Sequence, residues 1–291
     1  MSNKDADYYL LATSIASCFG FLELDLTQLL YECPLSELPL DFRLSVIVPS
    51  YNERENMPEL IGRVASALGS ISFEFMVVDD NSPDGTADVL MELNKKYPNL
   101  NVLKRPGKLG LSSAVIAGLG QSSIHAQVFA VMDADMQHPP ELLPKMYSKI
   151  LDGYDLVVAS RYVTGGRVSQ WGASRIVISK VATLLAHLLL PETRRVRDIM
   201  SGFFVVKRQV LDSVNFDPVG FKILLEILVK GNYLAVLEVP YTFGSRQNGA
   251  SNLNSKEIWN YIVHIYKLMK SKKNPKMSIL PSERYRTERY G

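Results

Sequence analysis

Five short apolar runs, separated by segments of helical length, constrain this chain more than any other feature. Leu44–Pro49, Phe73–Val78, Asn101–Leu103, Val128–Met132 and Leu156–Ala159 have the length and mostly apolar content of buried strands. Between the first two, Met57, Leu60, Ile61, Val64 and Leu68 recur at helical spacing. Thr86 is placed to cap a helix running to Tyr97, and Ser112 to cap one over Ala114–Gln121. Pro140 suits the first turn of a further helix. Strands and helices alternating in this way form βαβ units around a largely parallel sheet. The expected class is α/β, a Rossmann-like, mostly parallel sheet flanked by helices.

Such sheets bind ligands outside the carboxyl ends of their strands. The polar clusters of this chain fall there: Tyr51, Asn52 and Glu53 after the first strand, Asp79 and Asp80 after the second, Asp133 and Asp135 after the fourth. In Asp133-Ala134-Asp135 the two carboxylates can face one small volume where the chain turns. They can then hold one hard divalent cation, with phosphate oxygens completing its shell. A polar acidic loop is the plainer alternative. Adjacent Asp79 and Asp80 can accept hydrogen bonds from a ribose or a base, and the same stretch, through Pro83, Asp84 and Gly85, also favours a turn. In Arg105-Pro-Gly-Lys-Leu-Gly-Leu111 the glycines allow close backbone approach, and Lys108 can reach a phosphate. Neither a dinucleotide fingerprint nor a P-loop is present.

The second half reads differently. Trp171–Leu190 is long and apolar, Ser201–Lys207 and Tyr233–Pro240 read as strands, and Phe221–Lys230 reads as a helix. Over Lys256–Lys270, Ile258, Trp259, Ile262, Ile265, Tyr266 and Met269 recur near helical spacing. No apolar run has the length needed to span a bilayer; Val181–Leu190 is too short and contains His187. Tyr8–Leu22 follows Asp5 and Asp7 instead of the basic segment of a signal peptide. Membrane attachment is therefore expected to be peripheral, or supplied by a partner. The net charge of +2 gives no reason to expect nucleic-acid binding. Positive charge gathers in the tail, where Lys267 to Arg289 suit either a solvated end or an anionic membrane surface. Cys18 and Cys33 are too few for a disulfide framework, so a reducing compartment is expected.

Taken together, these pieces resemble glycosyltransferase family 2, of the GT-A type. Within it they resemble the branch that moves mannose from GDP-mannose to a polyprenyl (dolichyl) phosphate. The resemblance covers roughly residues 43–255, leaving 1–42 as an N-terminal extension and 256–291 as an amphipathic helix with a basic tail. It rests on Val48-Pro-Ser-Tyr-Asn-Glu-Arg-Glu-Asn56, Val78-Asp-Asp-Asn-Ser-Pro-Asp-Gly-Thr86 and Asp133-Ala-Asp-Met-Gln-His-Pro-Pro-Glu141. Ser160-Arg-Tyr162 with Gly165-Gly166, Trp171 with Arg175, Ser201-Gly-Phe203 and Gly220-Phe-Lys-Ile-Leu-Leu-Glu226 add to it.

The resemblance implies roles position by position. Pro49, Tyr51 and Glu53 would hold the guanine nucleotide, with Asp80 and Lys108 near it and Ala134 in the donor site. Asp133, Asp135 and Gln137 would hold Mg2+ or Mn2+ and the diphosphate, and Arg246 would close over them from a loop. Arg161, Arg175 and Ser179 would hold the lipid phosphate. The implied reaction is a single displacement with inversion at the sugar carbon, driven by positioning and charge stabilisation. Asp135 and Arg246 would be the principal catalytic residues. The helix from Arg175 to Leu190 and the amphipathic Lys256–Lys270 resemble membrane-interface helices. They imply peripheral attachment on the cytoplasmic side of a membrane (endoplasmic reticulum or plasma membrane), with an anchoring subunit as a further partner.

Three positions depart from the family pattern: Asn252 stands where lysine is expected, Ser112 at a glycine and Ile199 at a common proline. Rival readings are the same fold using UDP-glucose or another acceptor, a metal-free glycoside hydrolase with paired carboxylates, and a catalytically silent scaffold.

Overall fold

The computed structural model describes residues 44–169, 173–212, 214–217, 220, 222–244 and 255–271. The extension over 1–42, Arg246, Asn252 and the tail beyond Ser271 lie outside the described residues. Elements are numbered among the described residues in chain order.

The first half realises the expected alternation. Its elements are β1 (Leu44–Ser50), α1 (Met57–Leu68), β2 (Phe73–Asp79), α2 (Thr86–Lys96), β3 (Leu100–Lys104), α3 (Leu111–Gln121), β4 (Val128–Val131), α4 (Leu143–Leu151) and β5 (Leu156–Ser160). A single 3-10 turn, Pro140–Leu142, leads into α4. The second half adds β6 (Arg167–Val168), α5 (Ala173–Leu189), β7 (Phe204–Lys207), α6 (Arg208–Leu211), α7 (Ile223–Lys230), β8 (Val236–Pro240), β9 (Thr242–Phe243) and α8 (Ser255–Ser271).

Seven strands form one sheet in the order β3-β2-β1-β4-β7-β5-β8. Every neighbouring pair is parallel except those made by β7, which runs antiparallel between β4 and β5. That reversal matters for function. Val131 at the carboxyl end of β4 pairs with Phe204 at the start of β7, so the segment leading into β7 arrives at the ligand-binding edge. Ser160 pairs with Pro240, bringing the chain after β8 to the same edge. A small parallel pair, β6 with β9, ties the loop after β5 to that returning chain.

Side chains alternate across the sheet. Val46 and Val48 pack against α1 and α4 on one side, while Ile47 joins the opposite core with α3 and α7. Both faces are covered, which is why the strands read as continuous apolar runs. Two helix starts differ from expectation. Gly85 and Gly110, both at positive φ, occupy the cap positions, so Thr86 and Ser112 lie inside their helices. Asp84 instead accepts hydrogen bonds from the Thr86 amide (3.0 Å) and hydroxyl (2.6 Å). Ser201 precedes its strand, and Tyr233 bonds back to the Leu228 carbonyl instead of opening β8.

Gly118 lets α3 lie close against β1 and β2. A Cβ there would stand 2.7 Å from Ile47 Cγ2 and 3.1 Å from Val78 Cγ2. Overpacking a core costs about 1–3 kcal/mol, more than the ~1 kcal/mol that alanine gains over glycine in a helix. Gly118→Ala is therefore expected to lower the urea midpoint of unfolding, and an unchanged or raised midpoint would show that the contact yields.

Candidate active site

Main-chain and side-chain bonds knit the ends of β1 and β2 together. Asn52, at φ 60°, donates its amide to Ser82 Oγ (2.9 Å), and the Glu53 amide donates to Thr86 Oγ1 (3.1 Å). Asp79 is fully buried and accepts from both the amide and the hydroxyl of Ser82. Asp80 braces the next loop: it pairs with buried Arg105 and accepts from the amides of Leu109 (3.0 Å) and Gly110 (3.1 Å). These two acids thus do turn-building work, the structural half of what the sequence allowed. Pro49 is buried at the end of β1 and Tyr51 is half-buried just beyond it. Lys108 places its ammonium 4.1 Å from the centre of the Tyr51 ring, a cation–π contact that ties the glycine-bearing loop to the end of β1. The Glu53 carboxylate accepts from Asn56 Nδ2 at 2.6 Å.

After β4 the chain turns sharply. Met136 takes φ 63°, and the Gln137 amide donates to Asp135 Oδ1 at 3.2 Å. Asp135 is buried, Ala134 is buried between the two acids, and Asp133 keeps partial exposure. Gln137 Nε2 donates to the Gly244 carbonyl (2.9 Å), and Gly244 returns its amide to the Gln137 carbonyl (3.1 Å). The Gln137 amide nitrogen is therefore spoken for, which leaves its Oε1 as the ligand-type atom. His138 lies behind the turn, stacked on Phe203 and edge-on to Tyr241 and Phe243. Its Nδ1 accepts the Asp133 amide at 3.0 Å. Burial pushes the imidazole down to about 4; Asp135 opposes this, and Arg161 and Lys222 reinforce it. Neutral His138 with Nδ1 accepting carries its proton on Nε2, which lies 3.8 Å from Asp133 Oδ2.

A cationic group adjoins these acids. Arg161, 7% exposed, donates Nε and Nη2 to the two oxygens of fully buried Asp198, at 2.8 and 2.7 Å. Its amide donates to the same carboxylate. Burial opposes the Arg161 charge, but the bonds and charge of Asp198 outweigh it and its pKa is raised. Glu238 on β8 in turn accepts the amides of Arg197 and Asp198. Ser179, one turn along α5 from Arg175, shares a hydrogen bond of 2.9 Å with the Tyr162 hydroxyl. Lys222, just before α7, donates to the Met200 carbonyl at 3.0 Å. Burial and Arg161 draw its pKa down to about 7, opposed by Asp133 and Asp198, with Arg175 also acting on it.

The sheet edge thus gathers Pro49, Tyr51, Glu53, Asp133, Asp135 and Gln137, with Arg161, Arg175 and Ser179 reached through the elements after β5. Asp198, Glu238, His138, Gly202 and Lys222 received no role from the sequence. His138, Gly202 and Lys222 sat inside motifs that drew notice. Gly202 borders the acids: a Cβ there would stand 3.1 Å from Asp133 Oδ2 and 3.3 Å from His138 Cε1. Gly202→Ala is expected to push the Asp133 carboxylate aside and cut turnover by about 10- to 100-fold, the range for disturbing a ligand's support. Wild-type turnover in that variant would mean the carboxylate position is not critical.

A mostly parallel sheet with one antiparallel strand, and paired acids at the carboxyl end of a central strand, define a fold of the GT-A type. The sequence profile described as glycosyl transferase family 2 matches residues 45–214, and the chain belongs to that family. A dolichol-phosphate mannosyltransferase of Pyrococcus furiosus is 49% identical over 78% of this chain and 64% of its own length. The chain thus spans just under two thirds of that relative. A dolichol-phosphate mannosyltransferase of Saccharomyces cerevisiae is 35% identical over 79% of this chain and 88% of its own length. Among solved structures, glucosyl-3-phosphoglycerate synthase from Mycobacterium tuberculosis, in complex with Mn2+, UDP-glucose and phosphoglyceric acid, superposes with a TM-score of 0.59. It is 19% identical and covers 82% of this chain and 84% of its own, which speaks to the fold alone.

Proposed function

We propose that this protein is an inverting mannosyltransferase that moves mannose from GDP-mannose to a polyprenyl phosphate, giving polyprenyl-phosphate mannose and GDP. The observation that carries the reading is the pairing of opposite charges at one sheet edge. Asp133 and Asp135 suit a metal-bound diphosphate, and the adjacent group of Arg161, Arg175 and Lys222 suits an acceptor that is itself anionic. A neutral sugar hydroxyl as acceptor offers such a cationic group no charge to pair with. The Pyrococcus and Saccharomyces relatives, both dolichol-phosphate mannosyltransferases, agree with that chemistry.

Two carboxylates on one turn are oxygen donors of the kind that Mg2+ and Mn2+ take. In this reading Gln137 Oε1 and the donor's diphosphate oxygens would add to the oxygen donors that Asp133 and Asp135 offer such an ion. When bound, the metal neutralises charge on the departing GDP. The chain's own residues do the rest. Tyr51 and Lys108 flank the nucleotide, with Pro49 at the end of β1 and Glu53 in the turn that follows it. Arg175 and Ser179 orient the acceptor phosphate, and Arg161 is held in place by Asp198. A phosphate oxygen attacks the anomeric carbon as its bond to GDP breaks on the opposite face. Because that oxygen is already ionised at neutral pH, no general base is required. Arg246, outside the described residues, is proposed to close over the donor.

Attachment to the membrane surface is part of the same proposal. Val181, Leu184 and Leu188 on α5 and Trp259 on α8 are 59 to 65% exposed. The two helices touch, the Tyr261 hydroxyl donating to the Ala182 carbonyl at 2.7 Å, so these apolar residues lie on neighbouring helices. Among the described residues no helix is long and apolar enough to cross a membrane. Apolar side chains on two such helices suit insertion at the headgroup level.

The test supplies radiolabelled GDP-mannose or UDP-glucose to the full chain with dolichyl or undecaprenyl phosphate, with Mg2+, Mn2+ or a chelator. Metal-dependent labelling of lipid from GDP-mannose is the expected result. Labelling from UDP-glucose alone, or donor hydrolysis indifferent to the chelator, would overturn the reading.

A further inference from the structure

We propose that Lys222 is a further substrate-contacting residue, whose ammonium binds the acceptor phosphate beside Arg175 and holds it next to the donor site. The inference rests on the phosphate-acceptor reading above and adds a residue to that subsite.

One short stretch of chain locates Lys222. Asp198 grips Arg161. Two residues on, the Met200 carbonyl accepts Lys222 Nζ at 3.0 Å. Two further on, Gly202 abuts Asp133, with room for no more than a tight methyl group between them. The lead-in to β7 therefore meets an arginine assigned to the acceptor, then Lys222, then the aspartate assigned to the donor's metal. At the base of the side chain, the helix that begins at Ile223 is buried from Ile223 through Leu228. Lys222 thus directly precedes a helix whose first six residues are buried.

Charge matching points the same way. Among the ionised groups that act on Lys222 are Arg161, Asp133, Asp198 and Arg175. Asp198 is committed to Arg161 through a two-pronged pair. Arg175 acts on Lys222 as a like charge, and an anion bound by both would offset that repulsion. A phosphate monoester carries close to two negative charges at neutral pH, which matches the two cations. A neutral hydrogen-bond donor would serve the Met200 carbonyl equally well, so satisfying that carbonyl gives no reason for a lysine.

Glutamine separates the two roles, because its amide can still donate to Met200 while carrying no charge. Citronellyl phosphate, a short water-soluble polyprenyl phosphate, is titrated calorimetrically into the full chain with GDP and Mn2+ present. GDP with Mn2+ is titrated separately. Lys222→Gln is expected to weaken citronellyl phosphate binding by about tenfold or more, as befits loss of a charge-assisted contact, and to leave GDP–Mn2+ binding within about twofold. Lys222→Arg, which keeps the charge, is expected to retain most of the binding. Should Lys222→Gln instead bind citronellyl phosphate like the wild type, the lysine serves the carbonyl alone and the proposal fails. A loss confined to GDP–Mn2+ places Lys222 on the donor and also defeats it. If the wild type binds GDP–Mn2+ but not citronellyl phosphate, the acceptor reading falls, and this inference with it.

Discussion

Asp135→Ala is expected to lower metal-dependent mannosyl transfer by at least about 10²–10³-fold, the scale on which losing one preorganised charge-stabilising contact is felt. Its unfolding midpoint should stay close to that of the wild type. The separation of the two effects follows from where the carboxylate sits. Asp135 is buried at the strand end beside Asp133, and two neighbouring carboxylates repel one another. Removing it relieves that repulsion and gives up the hydrogen bond from the Gln137 amide, worth about 1.5–3 kcal/mol to a charged acceptor. The two changes oppose each other, so stability moves little. Initial rates of lipid labelling over a range of Mn2+ concentrations, alongside urea denaturation, measure both. Near-normal turnover at low Mn2+ would remove Asp135 from the metal assignment. A large loss of stability would mean the residue holds the turn and not the ion.

The parts of this site that could be read from sequence are those with a local signature. Strands covered on both faces read as apolar runs, and an acid pair directly after one of them can only lie at the carboxyl edge. The direction of β7 has no such signature. Phe204–Val206 is buried throughout, and such a run looks the same whichever way it is laid into a sheet. Its reversal is what carries Asp198, Met200 and Gly202 to the site. Asp198 and Glu238 were given no role because their contacts are tertiary: Asp198 pairs with Arg161, 37 residues away, and Glu238 accepts backbone amides 40 and 41 residues away. The helix caps failed for a different reason: Gly85 and Gly110 reach positive φ without steric cost, so the neighbouring hydroxyls were not needed there. Two-residue strands such as β6 and β9 are too short to show any period, yet they bring Gly244 to Gln137.

Asp198→Ala should show the largest loss of stability, about 3–5 kcal/mol, because it leaves a buried arginine charge without its partner. Asp198 has no exposed surface, and Arg161 has little. The substitution strips the carboxylate from Nε, Nη2 and the backbone amide of Arg161 together. Against a total of roughly 5–15 kcal/mol for a folded domain, that is a large fraction, and denaturant unfolding of the full chain reads it directly. Arg161 cannot respond by shedding its proton, since a guanidinium stays charged in proteins. The double variant Arg161→Met with Asp198→Leu tests whether the pair is there for stability. Replacing both partners of a buried ion pair by apolar groups is often neutral or stabilising, so the double variant is expected to be more stable than Asp198→Ala. It should nevertheless lose citronellyl phosphate binding, since the arginine is gone. Recovery of stability without recovery of acceptor binding would identify the pair as a support for Arg161 at the acceptor site. Full acceptor binding in the double variant would instead reduce Arg161 to a structural residue and leave the phosphate to Arg175, Ser179 and Lys222.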